Sequence, residues 1–118
     1  MDMQMIYSLF QLFSGEEDSQ KYMPILTTAI QEVKSSLLEE ESVQEVRLCY
    51  LAAAVANLRY TQMFGAQQKA LATYAGNVSK ESDLTHQIRF AEQLVHSYKS
   101  LCRDLLQEQD FFFAGVRG

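Results

Sequence analysis

Apolar residues recur at steps of three and four along most of this chain, the spacing that gathers them on one face of an α-helix. Ile6, Leu9, Phe10 and Phe13 keep that rhythm and then meet Ser14-Gly15, so they predict a short amphipathic helix over about 3–13. The run Glu16-Glu17-Asp18-Ser19 opens a second helix over 19–38, because acids suit the positive end of a helix dipole. Its stripe is Tyr22, Ile25, Leu26, Ala29, Ile30, Val33 and Leu37. Pro24 must sit in the first turn or two, since deeper in the helix it would cost about 3 kcal/mol. Ser42-Val43-Gln44-Glu45 reads as a capping box that starts a third helix over 43–63. Between Leu48 and Ala56 that helix is apolar on every side, which predicts that it is surrounded.

The pattern breaks at 70–79. Thr73-Tyr74-Ala75-Gly76-Asn77-Val78-Ser79 sets β-branched and aromatic residues around a Gly-Asn turn signal, predicting an extended loop or a small hairpin. A fourth helix over 83–108 follows, with Ser82 or Asp83 as its cap. Leu84, Ile88, Ala91, Val95, Tyr98, Cys102 and Leu105 advance in alternating steps of four and three, a seam of heptads. Leu94 and Leu101 widen that seam toward a globular bundle. A non-helical tail over 110–118 closes the chain and carries Phe111-Phe112-Phe113. Each ring left in water forgoes about 1.5–3 kcal/mol, so the tail is expected to dock on its own domain or on another chain. If extended, Phe111 and Phe113 face one way and Phe112 the other. The predicted architecture is all-α: one four-helix, bundle-like domain over 1–118.

Composition supports helix: a single proline and five glycines in 118 residues, with 47% hydrophobic content. The net charge of −5 is unevenly divided. Residues 1–46 carry nine acids and two bases, whereas 47–118 carry eight bases and six acids. Such a division suits either head-to-tail association of copies or two ordinary solvated faces. Sequence-specific nucleic-acid binding is not expected of so acidic a chain. No apolar run approaches the roughly 20 residues that span a bilayer, and Met1–Ile6 has no basic region of a signal peptide. The chain is therefore expected off the membrane, made in the cytoplasm. Cys49 and Cys102 fall in apolar stretches and are expected to be buried and reduced.

No arrangement of residues announces chemistry. His86 and His96 stand about 15 Å apart along one helix, too far to share a metal. The acidic runs lack the spaced ligands and internal glycine of a calcium loop. Gly65, Gly76 and Gly115 are isolated, so no phosphate-cradling loop is predicted. No catalytic, cofactor or metal site is expected, and the chain is not expected to be an enzyme. A small-molecule or metal site near His86, His96 or Cys102 is the competing reading.

The order of segments resembles a known family. It comprises a short helix, an acidic turn into an Ile-Leu-Ala-Ile stripe, and the Ala-rich helix Val46–Tyr60. An Ala-Gly-Asn-Val-Ser loop at 75–79, a long last helix and a terminal Asp-Phe-Phe-Phe follow. In these features the chain is similar to the helical head–tail connector, or adaptor, proteins of long-tailed bacteriophages and prophages. The resemblance implies a structural subunit of the virion, self-assembled in a ring of about a dozen copies between portal and tail-completion proteins. It places subunit contacts at Tyr74, Asn77 and Val78 and at Phe111, Phe112 and Phe113. A second similarity runs over 17–62, to the two-helix part of a bacterial cell-division ring regulator, and implies a helical dimeric scaffold. That family begins with a β-hairpin, which Met1–Phe13 does not resemble.

Overall fold

A helix begins where its first free N–H groups find an acceptor, and Asp2 supplies one for the first helix. Its carboxylate accepts from the Met5 N–H at 3.2 Å, opening α1 (Met3–Ser14). Gly15 ends it in the left-handed region (φ 78°), with its N–H on the Gln11 carbonyl at 2.9 Å. The computed structural model describes residues 1–75 and 78–107, without the side chains at 19, 65–75 and 78–83. Within it the chain forms α1, α2 (Met23–Ser35), α3 (Val46–Ala75) and α4 (Val78–Leu101). Short 3-10 turns cover Ser19–Tyr22, Glu40–Gln44 and Arg103–Leu105. The all-α, four-helix architecture is the predicted one.

The boundaries differ in instructive ways. The second helix starts late, at Met23, because Pro24 fits only its first turn. It stops early, at Ser35, where the Ser35 and Ser36 hydroxyls both donate to the Glu32 carbonyl at 2.9 Å and compete with the backbone ladder. The capping box does not form. Glu45 is extended and its N–H donates to the Ser42 carbonyl inside the 3-10 turn, so α3 starts three residues later than predicted, at Val46. The predicted loop or hairpin at 70–79 is a helix through Ala75 and again from Val78. Ala70, Leu71 and Ala72 are strong helix formers and outweigh the β-branched residues beside them. The fourth helix consequently begins at Val78, and it gives way to a 3-10 turn after Leu101.

The helix α3, of 30 residues, is the axis of the molecule. Leu48, Leu51, Ala52, Ala53, Ala54, Val55, Ala56 and Leu58 are all buried. Three helices cover it. Ile6 and Phe10 of α1, Leu26, Ala29, Ile30 and Val33 of α2, and Ala91, Val95 and Cys102 at α4 belong to one core with it. α1 runs in the same direction as α3: Asp2 lies at Cys49 and Glu16 at Tyr60. α4 runs back along α3, as Arg47 meets Asp104 and Tyr50 meets Tyr98. The predicted heptad seam is therefore an internal one. Among the described residues the one strand-like pairing is antiparallel, between Leu37 and Leu106, and no described helix is long and apolar enough to cross a membrane.

Because Leu51 is enclosed on all sides, Leu51→Ala should lower the unfolding free energy by about 2–5 kcal/mol in urea titrations. Leu101→Ala, at a half-exposed position, should change it by no more than about 0.5 kcal/mol.

Candidate functional site

Two concave regions flank the α3–α4 pair. The first lies at the base, where the α2–α3 corner meets the end of α4. Arg47, in the first turn of α3, sends Nη1 to the Leu101 carbonyl at 3.0 Å and to Asp104 Oδ1 at 2.9 Å. Its Nη2 reaches Asp104 Oδ2 at 3.3 Å and Glu45 Oε1 at 3.1 Å. One planar fork thus ties the start of α3 to the last turn of α4. The same hydrogen bonds hold the Asp104 carboxyl below its usual range and raise the Arg47 guanidinium.

Beyond that clamp the chain turns back. The Leu38 N–H donates to the Leu105 carbonyl at 3.0 Å and the Gln107 N–H to the Ser36 carbonyl at 2.8 Å. Gln107 Nε2 adds a bond to the Leu37 carbonyl at 3.1 Å. Leu38, His96, Lys99, Arg103, Leu106 and Gln107 then border a groove of about 580 Å³. This is where His96 lies, exposed on α4. His86 is exposed as well, on an earlier turn, and does not line this groove. Cys102 is buried instead, its thiol on the Arg47 carbonyl at 3.5 Å, and burial pushes it up to about 11. Both cysteines are free. Among the described residues no group of three or more His, Cys, Asp or Glu stands close enough to hold a metal.

The second region is a cavity of about 340 Å³ between the end of α1 and the middle of the α3–α4 pair. Phe13, Tyr60, Phe64 and Phe90 line it, together with Glu16 and Asn57. Tyr60 is held edge-on by Phe10 and Tyr22 and stacks on Phe64, with centroids 5.6 Å apart and planes 13° apart. Its phenol donates to Glu16 Oε1 at 2.5 Å. Burial, and then that bond to a carboxylate, push the phenol far above its ordinary range. Asn57 is 3% exposed, and its Oδ1 is buried without a hydrogen-bond partner. An acceptor left so costs about 1–3 kcal/mol.

The residues expected at subunit contacts are only partly placed. Tyr74 lies in the last turn of α3 and Val78 opens α4, so these two stand in the facing ends of two antiparallel helices. Asn77 and Phe111–Phe113 lie outside the described residues. Sequence reasoning missed Asn57, Glu16 and Tyr60 as a group. The one available signal was Asn57 itself, a polar residue closing the apolar run of the buried helix. Compared with known protein families, curated proteins and solved structures, the chain matches none.

Two outcomes follow from the base of the molecule. At about pH 8 a thiol reagent should label neither cysteine in the folded chain and both in denaturant, as counted by mass spectrometry. The Asp104 carboxyl has a lowered folded pKa, so its contribution is complete above the unfolded value of about 3.9 and lost as pH falls through the folded one. In urea titrations Asp104→Asn should be less stable than the parent at about pH 6, with the difference shrinking toward about pH 2.5.

Proposed function

We propose that this chain is a structural assembly subunit of the head–tail connector kind, one that self-associates through the facing ends of α3 and α4 and the segment after Gln107. The observation that carries this reading is the anchored root of that segment. Gln107 is held by two hydrogen bonds to Ser36 and Leu37, so the sequence that follows it, with Phe111–Phe113, starts from a fixed point. A fixed point of departure lowers the ordering cost of docking such a segment on a neighbour. Helix length supports the same reading. At 30 residues α3 extends about 45 Å, whereas α1 and α2, of 12 and 13 residues, extend about 18–20 Å. The end of the α3–α4 pair therefore reaches past the helices packed on its base.

A dimeric filament scaffold built on 17–62 fits less well. The apolar faces it would use, Leu26–Val33 and Leu48–Leu58, are enclosed in the subunit's own core. In the connector reading the working partners are further copies, a portal and tail-completion proteins, and the working place is the virion.

Native mass spectrometry at high protein concentration, followed by electron microscopy, should find a closed ring. A strict monomer or plain dimer under every condition, with no binding to a portal, would overturn the proposal. Phe112→Ala should shrink the oligomer population while leaving monomer stability within about 0.5 kcal/mol. A monomer unfolded by that change would place the ring in the subunit's core instead.

A further inference from the structure

We propose that the cavity between α1, α3 and α4 binds an organic cation with N–H donors, a guanidinium or primary alkylammonium group on an apolar stem. Its walls are the rings of Phe13, Tyr60, Phe64 and Phe90, and aromatic faces attract cations. Among the described residues the one charged side chain lining it is the carboxylate of Glu16, with no lysine, arginine or histidine. An anion would meet repulsion there, and a neutral apolar molecule would leave the carboxylate unused.

The hydrogen-bonding groups carry the same sense. Each hydroxyl around the cavity has already donated its hydrogen: Ser14 to the Phe10 carbonyl at 2.7 Å, Thr61 to the Asn57 carbonyl at 2.7 Å, and Tyr60 to Glu16 at 2.5 Å. Asn57 contributes a buried Oδ1 with no partner. Gln87, which also lines the cavity, and the Asn57 amide carry N–H donors, but among the described lining residues the charged group and the unpartnered buried atom are both acceptors, which favours a ligand that brings donors. Its volume lies within the range of small-ligand sites. Phe90, 57% exposed, stands where a stem would enter. The same chemistry has two sources: a free small cation, or an arginine or lysine side chain of another copy.

Titration of the full chain with ethylguanidinium and n-butylammonium, followed by NMR, tests the site. The expected result is saturable shifts at the Asn57 side-chain amide and the Phe64 and Phe90 rings, with n-butanol producing none. Glu16→Gln, which keeps an acceptor for Tyr60, should weaken binding about fivefold or more. Phe90→Ala, at an exposed position, should weaken it with the melting temperature unchanged, and decides the matter should Glu16→Gln not fold. Absence of saturation with both cations overturns the site. Equal binding of n-butanol, or undiminished binding by a folded Glu16→Gln, overturns its cation selectivity and with it the proposal. Native mass spectrometry with saturating ethylguanidinium assigns the source. Loss of self-association identifies a neighbour's basic side chain, and intact association with the probe bound identifies a free cation. A chain that never self-associates but binds the probe would sink the ring reading and leave this site standing.

Discussion

A helix that is apolar on every side cannot face water, and that constraint on α3 organises everything else in the molecule. From Leu48 to Leu58 it presents an almost unbroken apolar surface, so it must be covered on all sides at once. Three helices do this, each contributing one stripe. The five small positions Ala52, Ala53, Ala54, Val55 and Ala56 allow their backbones to come close, and dense packing follows from the absence of bulk rather than from interlocking large side chains. The larger side chains gather at the ends of this zone. There Tyr60 meets Phe10, Tyr22 and Phe64 on one side, and Tyr50 meets Tyr98 on another.

Burial on every side has a cost for the polar groups of the same helix. Asn57 and Thr61 are buried with it, and Thr61 answers by donating to the Asn57 carbonyl one turn back. The Asn57 side chain finds no such solution for Oδ1. The charges show a related economy. The first part of the chain is acidic and the second basic, and some of that difference is neutralised inside the subunit. Glu32 of α2 lies 3.6 Å from Arg59 of α3, and Glu45 lies 3.1 Å from Arg47. Attraction between the two halves therefore helps to close the domain itself, in addition to any role between copies.

Periodicity made the helices legible because it reports burial, and burial dominates their energetics. Ile6 and Phe10, the stripe from Leu26 to Val33, and Ala91, Val95 and Cys102 all lie where spacing put them. What spacing could not reveal depends on residues far apart in sequence. The capping box at Ser42 is a sound local signal, yet Glu45 turns to Arg47, which is itself engaged by Asp104 57 positions away. The second helix ends early partly because Ser36 and Leu38 pair with Gln107 and Leu105. At Thr73–Ala75 local β-propensity misled, since the surrounding alanines favour helix. The aromatic cavity was the least legible feature. Its anionic centre joins Glu16 to Tyr60 across 44 positions, and no short motif links them.

The small antiparallel clasp at the base also determines how the domain would bear load. A pull on the segment beyond Gln107 does not reach the last turn of α4 first. It falls on the hydrogen bonds from Gln107 to Ser36 and Leu37, and then on the one from Leu38 to Leu105. The Arg47 fork to Leu101 and Asp104 stands behind them, joining the same corner to the start of α3. Tension is thus passed into the longest and most enclosed helix, where many buried contacts share it, instead of peeling α4 away one turn at a time.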